Sequence, residues 1–201
     1  YQQNFHYSVS NWLPFYWNGY TQTTQYTYVI EDLSDLDAVF RNFSQGKKKD
    51  IKKAEKVVNV YFDLSAEEFY ENHVMTLSKQ NSKISYSFSL FKKIYDAAYE
   101  NDAGRTIYAL DKDGNLHSAL FVIWDSNSAY DLISTIDPDY RNSGSASLLV
   151  KNIISYVSNK TKKFDFEGSM IENVEQSFRN FGSIQKPYFK ISKTNSKLLM
   201  I

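Results

Sequence analysis

The sequence predicts an α+β fold, a mixed and mostly antiparallel sheet flanked by helices, on three observations. Apolar spacing switches along the chain between the 3.6 period of helices and the alternation of strands. The element order reads helix, helix, three-strand meander, helix, strand, helix, strand, which is not a strict strand and helix alternation. The 201 residues, 42% hydrophobic and 23% charged, suffice for one core, so one domain or one domain with a fragment of a second is expected.

Residues 1–32 hold two of the three tryptophans and show no helical period. Thr21 to Ile30, rich in Thr and Tyr, suits a strand, but a small aromatic sheet cannot close a core alone. The segment 1–32 is therefore expected to be the end of a preceding lobe or a strand lent to one, and 33–201 the main domain. The chain opens at Tyr1 without an initiator Met, and upstream sequence is expected.

Ser34 is a capping candidate for a helix on Leu36, Val39, Phe40 and Phe43, with Gly46 as its expected end. A short basic helix follows, with Ile51, Ala54 and Val57 as its apolar side. It carries six lysines from Lys47 to Lys56 against Asp50 and Glu55. These lysines form either a solvated face or a phosphate contact, Lys49 and Lys53 being the candidates. Val57 to Phe62 reads as a strand. Ser65 caps a helix through Phe69, Tyr70, His73 and Leu77, and another helix runs from about Phe88 to Tyr99.

Two turns, DKDGN and DSNS, divide TIYAL, LHSALFVIW and AYDLISTI into three antiparallel strands. The cleanest helical signal comes next, on Ala146, Leu149, Val150, Ile153, Ile154 and Val157. KKFDFEG is a short strand, IENVEQSFRNFG a helix closed by Gly182, and IQKPYFKIS a last strand.

Composition excludes several chemistries. Without cysteine there is no thiolate metal site or Cys nucleophile, and three scattered histidines, at 6, 73 and 117, predict no metal. The seven glycines never lie closer than ten residues apart, which excludes dinucleotide and Walker-type glycine loops. The longest apolar run, Ala119 to Trp124, is far short of the ~20 residues of a membrane span. Equal numbers of acidic and basic residues, 23 each, give no global field toward nucleic acid.

After the meander, IDPDYRNSGSAS opens the long helix with Arg141, Gly144 and Ala146 in the pattern [QR]-x-x-G-x-[GA]. This resembles the acyl-donor loop of the GNAT acetyltransferase superfamily. FDFEGSM, a helix, FRNFG and PYFKI extend the resemblance to the Fem-like branch, over most of the chain. The resemblance implies a bacterial, cytoplasmic acyl- or aminoacyltransferase whose acceptor is a small molecule, a glycan or a peptidoglycan precursor. Residues 1–32 would then end a first GNAT-like lobe and 33–201 form the second. The donor implied is acyl-CoA, acetyl-CoA being the simplest, or an aminoacyl-tRNA. Arg141, Asn142, Ser143, Gly144, Ser145 and Ala146 would bind it, the N–H groups of Asn142 to Ala146 facing its phosphates at a helix N-terminus and Gly144 allowing close approach.

Acyl transfer needs a base for the acceptor and a proton for the leaving group. Asp165 and Glu167 alternate along KFDFEG and can share one face, Glu167 being the favoured base at the strand's end. Structural roles in ion pairs or caps are their alternative. Tyr188 is the candidate acid. Trp12, Tyr16 and Trp17 are candidates to stack on a sugar or base. The competing function is a non-catalytic glycan- or RNA-binding lobe with a decayed donor site.

Overall fold

The structure is a computed structural model that describes residues 1–194. Among them, eight strands form one sheet: β1 (Gln2–Asn4), β2 (Thr21–Ile30), β3 (Val58–Phe62), β4 (Gly104–Asp111), β5 (Leu116–Trp124), β6 (Ser128–Ile136), β7 (Lys163–Asp165) and β8 (Ile184–Ser192). Their order across the sheet is β1-β8-β2-β7-β6-β5-β4-β3. Every neighbouring pair is antiparallel except β6 with β7. The mixed, mostly antiparallel α+β architecture is the one the sequence predicts. Residues 1–32 supply β1 and β2 to the sheet, β2 lying between β7 and β8.

The helices are α1 (Leu13–Trp17), α2 (Leu36–Asn42), α3 (Gln45–Ala54), α4 (Ala66–Ser78), α5 (Phe88–Glu100), α6 (Ser145–Val157) and α7 (Glu172–Arg179), with a 3₁₀ turn at Pro138–Ser143. The apolar stripe of α6 is fully used: Leu149, Ile153, Ile154 and Val157 are buried against Ile107, Leu120, Val122 and Phe164 of the sheet. Val39, Phe43, Ile51, Ala54 and Phe181 join this core from α2, α3 and the turn after α7. On the other face α4 and α5 pack Phe69 and Phe91 on Phe121. No helix among the described residues is long and apolar enough to cross a membrane.

Three local expectations are corrected. Asp35, not Ser34, caps α2, its carboxylate accepting from the Ala38 N–H at 2.9 Å. Gly46 does not end that helix: Phe43 leaves it with φ −59° and ψ 138°, and Ser44 caps α3, which already contains Gly46. Val57 is 45% exposed because α3 stops at Ala54, so only Ile51 and Ala54 form its buried side. Ser65 caps α4 as expected, in a reciprocal box with Glu68. Ser65→Ala is expected to cost about 1 kcal/mol in urea unfolding, while Glu68→Gln, which preserves the box, costs less.

Candidate functional site

The β2 and β7 register, Val29 opposite Asp165, and the β2 and β8 register, Gln25 opposite Tyr188, put Thr27, Asp165 and Tyr188 on one sheet face. There they line a cavity of about 250 Å³ with Glu167, Tyr130 and the N-terminal segment Asn4 to Tyr7. The three residues singled out for chemistry, Asp165, Glu167 and Tyr188, are thus brought together. Phe166, between the two carboxylates, turns to the core and stacks on Phe178 and Phe181.

Glu167 is not a further strand residue: β7 ends at Asp165, and Glu167 has φ 60°, followed by Gly168 at 76°. Left-handed backbone at a non-glycine residue costs of order 1–3 kcal/mol and persists only where the surroundings impose it. Here Asp165 imposes it, its Oδ1 accepting the Glu167 N–H at 2.9 Å and the Thr27 hydroxyl. Gly168 then presses on β2, where an added Cβ would meet the Tyr26 carbonyl oxygen at 2.1 Å. Asp165 is 4% exposed and builds the turn that aims Glu167.

Burial pushes both carboxyls up. For Asp165 the Thr27 hydroxyl and Glu167 N–H oppose the shift, whereas Glu167 is raised further by Asp165. Glu167 is exposed as a residue, yet enough protein surrounds its carboxyl to disfavour the charge. Neither carboxylate forms an ion pair among the described residues, so the alternative roles expected of them, a lysine pair and a cap on the helix after Gly168, are not the ones observed. Tyr188 is raised by burial and then by the two carboxylates, and its hydroxyl donates to Gln25 Oε1 at 3.0 Å.

Beside the cavity the sheet opens. β6 and β7 pair only from Ser128–Lys163 to Tyr130–Asp165, so residues 131–136 of β6 have no partner on that side. A register shift in β6 at this point, between its pairings with Phe121 and Val122, is the kind of bulge that re-aims side chains. Asp131 sits at the bulge, buried, with both carboxylate oxygens accepting from the Ser134 hydroxyl at 2.8 Å. Burial, with Glu167 nearby, pushes it up to about 7 from 3.8. Between those values the folded protein holds a proton that the unfolded chain releases, so this group's stabilisation is lost as pH rises through the window. Asp131→Asn is expected to flatten urea stability between pH 4 and 7; an unchanged slope would assign the loss elsewhere.

The loop Arg141–Ala146 follows β6, as its sequence context predicts. Arg141 and Asn142 are exposed, but Gly144, at φ 82°, turns its open side to α3: an added Cβ would meet the Asp50 carbonyl oxygen at 2.3 Å. This helix contact by itself requires a glycine. The Ser145 N–H is bonded by Ser143 Oγ at 3.2 Å and the Ser145 hydroxyl accepts from Ser118, so part of the expected cradle is satisfied internally.

The lysine run divides. Lys47 bonds Ser177 Oγ at 2.8 Å and lies 4.3 Å from the Phe181 ring centroid, burial lowering its pKa. Lys48 holds the Arg41 carbonyl, and Lys53 the Asn142 carbonyl, tying α3 to the loop. Lys49 is exposed. Trp12 and Tyr16 meet edge to face at 5.5 Å beside α1, and Trp17 is 71% exposed; none of the three lines the carboxylate cavity. His73, half-buried, bonds the Tyr86 hydroxyl through Nδ1 at 2.8 Å.

His6, Tyr7, Thr27 and Tyr130 are the site residues sequence reasoning missed, because their placement depends on strand pairing across more than a hundred residues. Asp131 left a readable signal, a charge interrupting the apolar alternation of AYDLISTI. Among the described residues no cluster of three His, Asp or Glu could hold a metal ion.

No protein-family model and no curated protein sequence matches the chain. Solved structures do. FemX superposes with a TM-score of 0.68 at 10% identity, covering 82% of this chain and 61% of that one. L-PGS from Bacillus licheniformis gives 0.62 at 9%, covering 94% and 67%. A tandem GNAT protein from the clavulanic acid biosynthesis pathway gives 0.51 at 10%, covering 84% and 52%. The chain therefore spans less than two thirds of the length of FemX. Likeness at such identities concerns architecture, and on that architecture the chain has the GNAT/Fem-like fold.

Proposed function

We propose that the chain is an acyl- or aminoacyltransferase that acylates a primary amine of a bacterial cell-envelope or glycan acceptor in the cytoplasm, with Glu167 as general base. The observation that carries this reading is the convergence of Asp165, Glu167 and Tyr188 on one cavity where β6 and β7 separate. A carboxylate with a raised pKa and no cationic partner suits both holding an ammonium and taking its proton.

In the reaction the amine nitrogen attacks the donor's carbonyl carbon. A C–N bond forms and the bond to the leaving sulfur or oxygen breaks. Glu167 accepts the amine proton and the Tyr188 hydroxyl supplies one to the leaving group. Asp165 acts through the turn, holding Glu167 in place. Acyl-CoA is the favoured donor and aminoacyl-tRNA the other, both meeting the exposed Arg141 and Asn142 side of the loop.

The second reading is a non-catalytic glycan- or RNA-binding lobe, favoured by the closure of Gly144 against α3 and by the exposed Tyr16 and Trp17. A thermal-shift titration with acetyl-CoA separates the two. Donor binding at a hundred times its dissociation constant adds ~2.7 kcal/mol of stability. An unchanged melting temperature with acetyl-CoA and with aminoacyl-tRNA would favour the binding lobe.

A further inference from the structure

Cavity and charge continue past the carboxylates. On the far side of His6, Tyr7 and Tyr130, which line both spaces, lies a groove of about 420 Å³ that includes Ser8, Lys162 and Lys163. Lys163 and Asp165 stand two residues apart on β7, hence on the same sheet face and about 7 Å apart along the strand. One strand therefore presents a cation to the groove and an anion to the cavity.

The groove's cations are uncommitted. Glu31, whose carboxyl Lys163 helps to hold below its ordinary value, is ion-paired with Lys186 at 2.7 Å. Asp125, the groove's acid, spends Oδ1 on the N–H groups of Asn127 at 2.7 Å and Ser128 at 2.9 Å. Neither Lys162 nor Lys163 forms an ion pair within 4.0 Å among the described residues. Two lysines against one engaged carboxylate leave the groove net positive, while the cavity beyond the ring wall is net negative.

We infer that these spaces form one two-part site, whose ligand puts an ammonium between Asp165 and Glu167 and an anionic oxygen group, phosphate or carboxylate, on Lys162 and Lys163. The inference rests on the amine acceptor proposed above and narrows it to amines carrying such a group. The rings of Tyr7 and Tyr130 flank the connecting chain, which spans about 7 to 10 Å, set by the strand rise and the reach of a lysine side chain. Each charge of the ligand meets its opposite, which fixes its orientation and rejects a plain amine or a plain phosphate.

Calorimetric titration of the full chain tests this with ω-aminoalkyl phosphates of two to six carbons, the matching ω-amino carboxylates, and the plain alkylamines. At low salt at least one phosphate or carboxylate probe is expected to bind about tenfold or more tighter than its alkylamine. The phosphate and carboxylate arms identify which group is preferred. Lys162→Gln with Lys163→Gln is expected to abolish the preference while the alkylamines still bind. Lys163→Arg alone should keep the preference, which separates charge from an altered fold. Equal binding of charged and plain probes to the native chain, a preference that survives the double substitution, or no binding of any probe would overturn the two-part site. Failure of the transferase reading looks different: the probes bind with this preference, yet no acyl group reaches them.

Discussion

Glu167→Gln is expected to depress acyl transfer by about 10²- to 10⁴-fold, the range for loss of a general base, while donor binding persists. Gln preserves the shape and the left-handed turn, so melting temperature should stay close to that of the native chain. Because burial raises the Glu167 carboxyl, the acidic limb of kcat/KM should lie above the ordinary carboxylate range, with activity rising as pH climbs through it. That limb should vanish in the variant. Asp165→Asn gives the contrast: Asn retains an oxygen to accept the Glu167 N–H and Thr27 hydroxyl, so the rate should fall less and the limb should survive. Equal losses in both variants would return Glu167 to a structural role.

Gly144→Val is expected to destabilise the fold by roughly 2 to 6 kcal/mol, the sum of a left-handed non-glycine residue and an overpacked contact. At φ 82° the valine backbone is strained, and its Cβ meets the Asp50 carbonyl, which cannot yield without moving α3. The Lys53 bond to the Asn142 carbonyl would loosen with it. Urea unfolding checks the size, and a variant as stable as the native chain would show that α3 does not close this loop. The sequence marks Gly144 for the close approach of a phosphate, whereas the structure brings α3 against it.

That difference marks what the sequence carries. Helices α4, α5 and α6 and the β4 to β6 meander are legible because their signals are local: a capping box, a 3.6 period, a Asp-Gly turn. Asp165, Glu167 and Tyr188 are legible as residue types in KFDFEG and IQKPYFKIS, and the register places them together. The sequence does not carry the register of β2 against β7 and β8, since two strands more than 130 residues apart pair through the completed core rather than through a turn. Thr27 reaches the site only through that pairing, and His6 and Tyr7 through the pairing of β1 with β8. For the same reason the closure of α3 on Gly144 is not legible: a helix N-terminus is visible in sequence, and the helix packed against it is not.

Transfer of radiolabel from acetyl-CoA, and separately from charged tRNA, to a panel of primary amines tests the proposed reaction most directly. Labelled amide is expected from one donor with the native chain, and a loss of about 10²-fold or more with Glu167→Gln at equal protein concentration. Label that never leaves either donor, or transfer undiminished in Glu167→Gln, would contradict it.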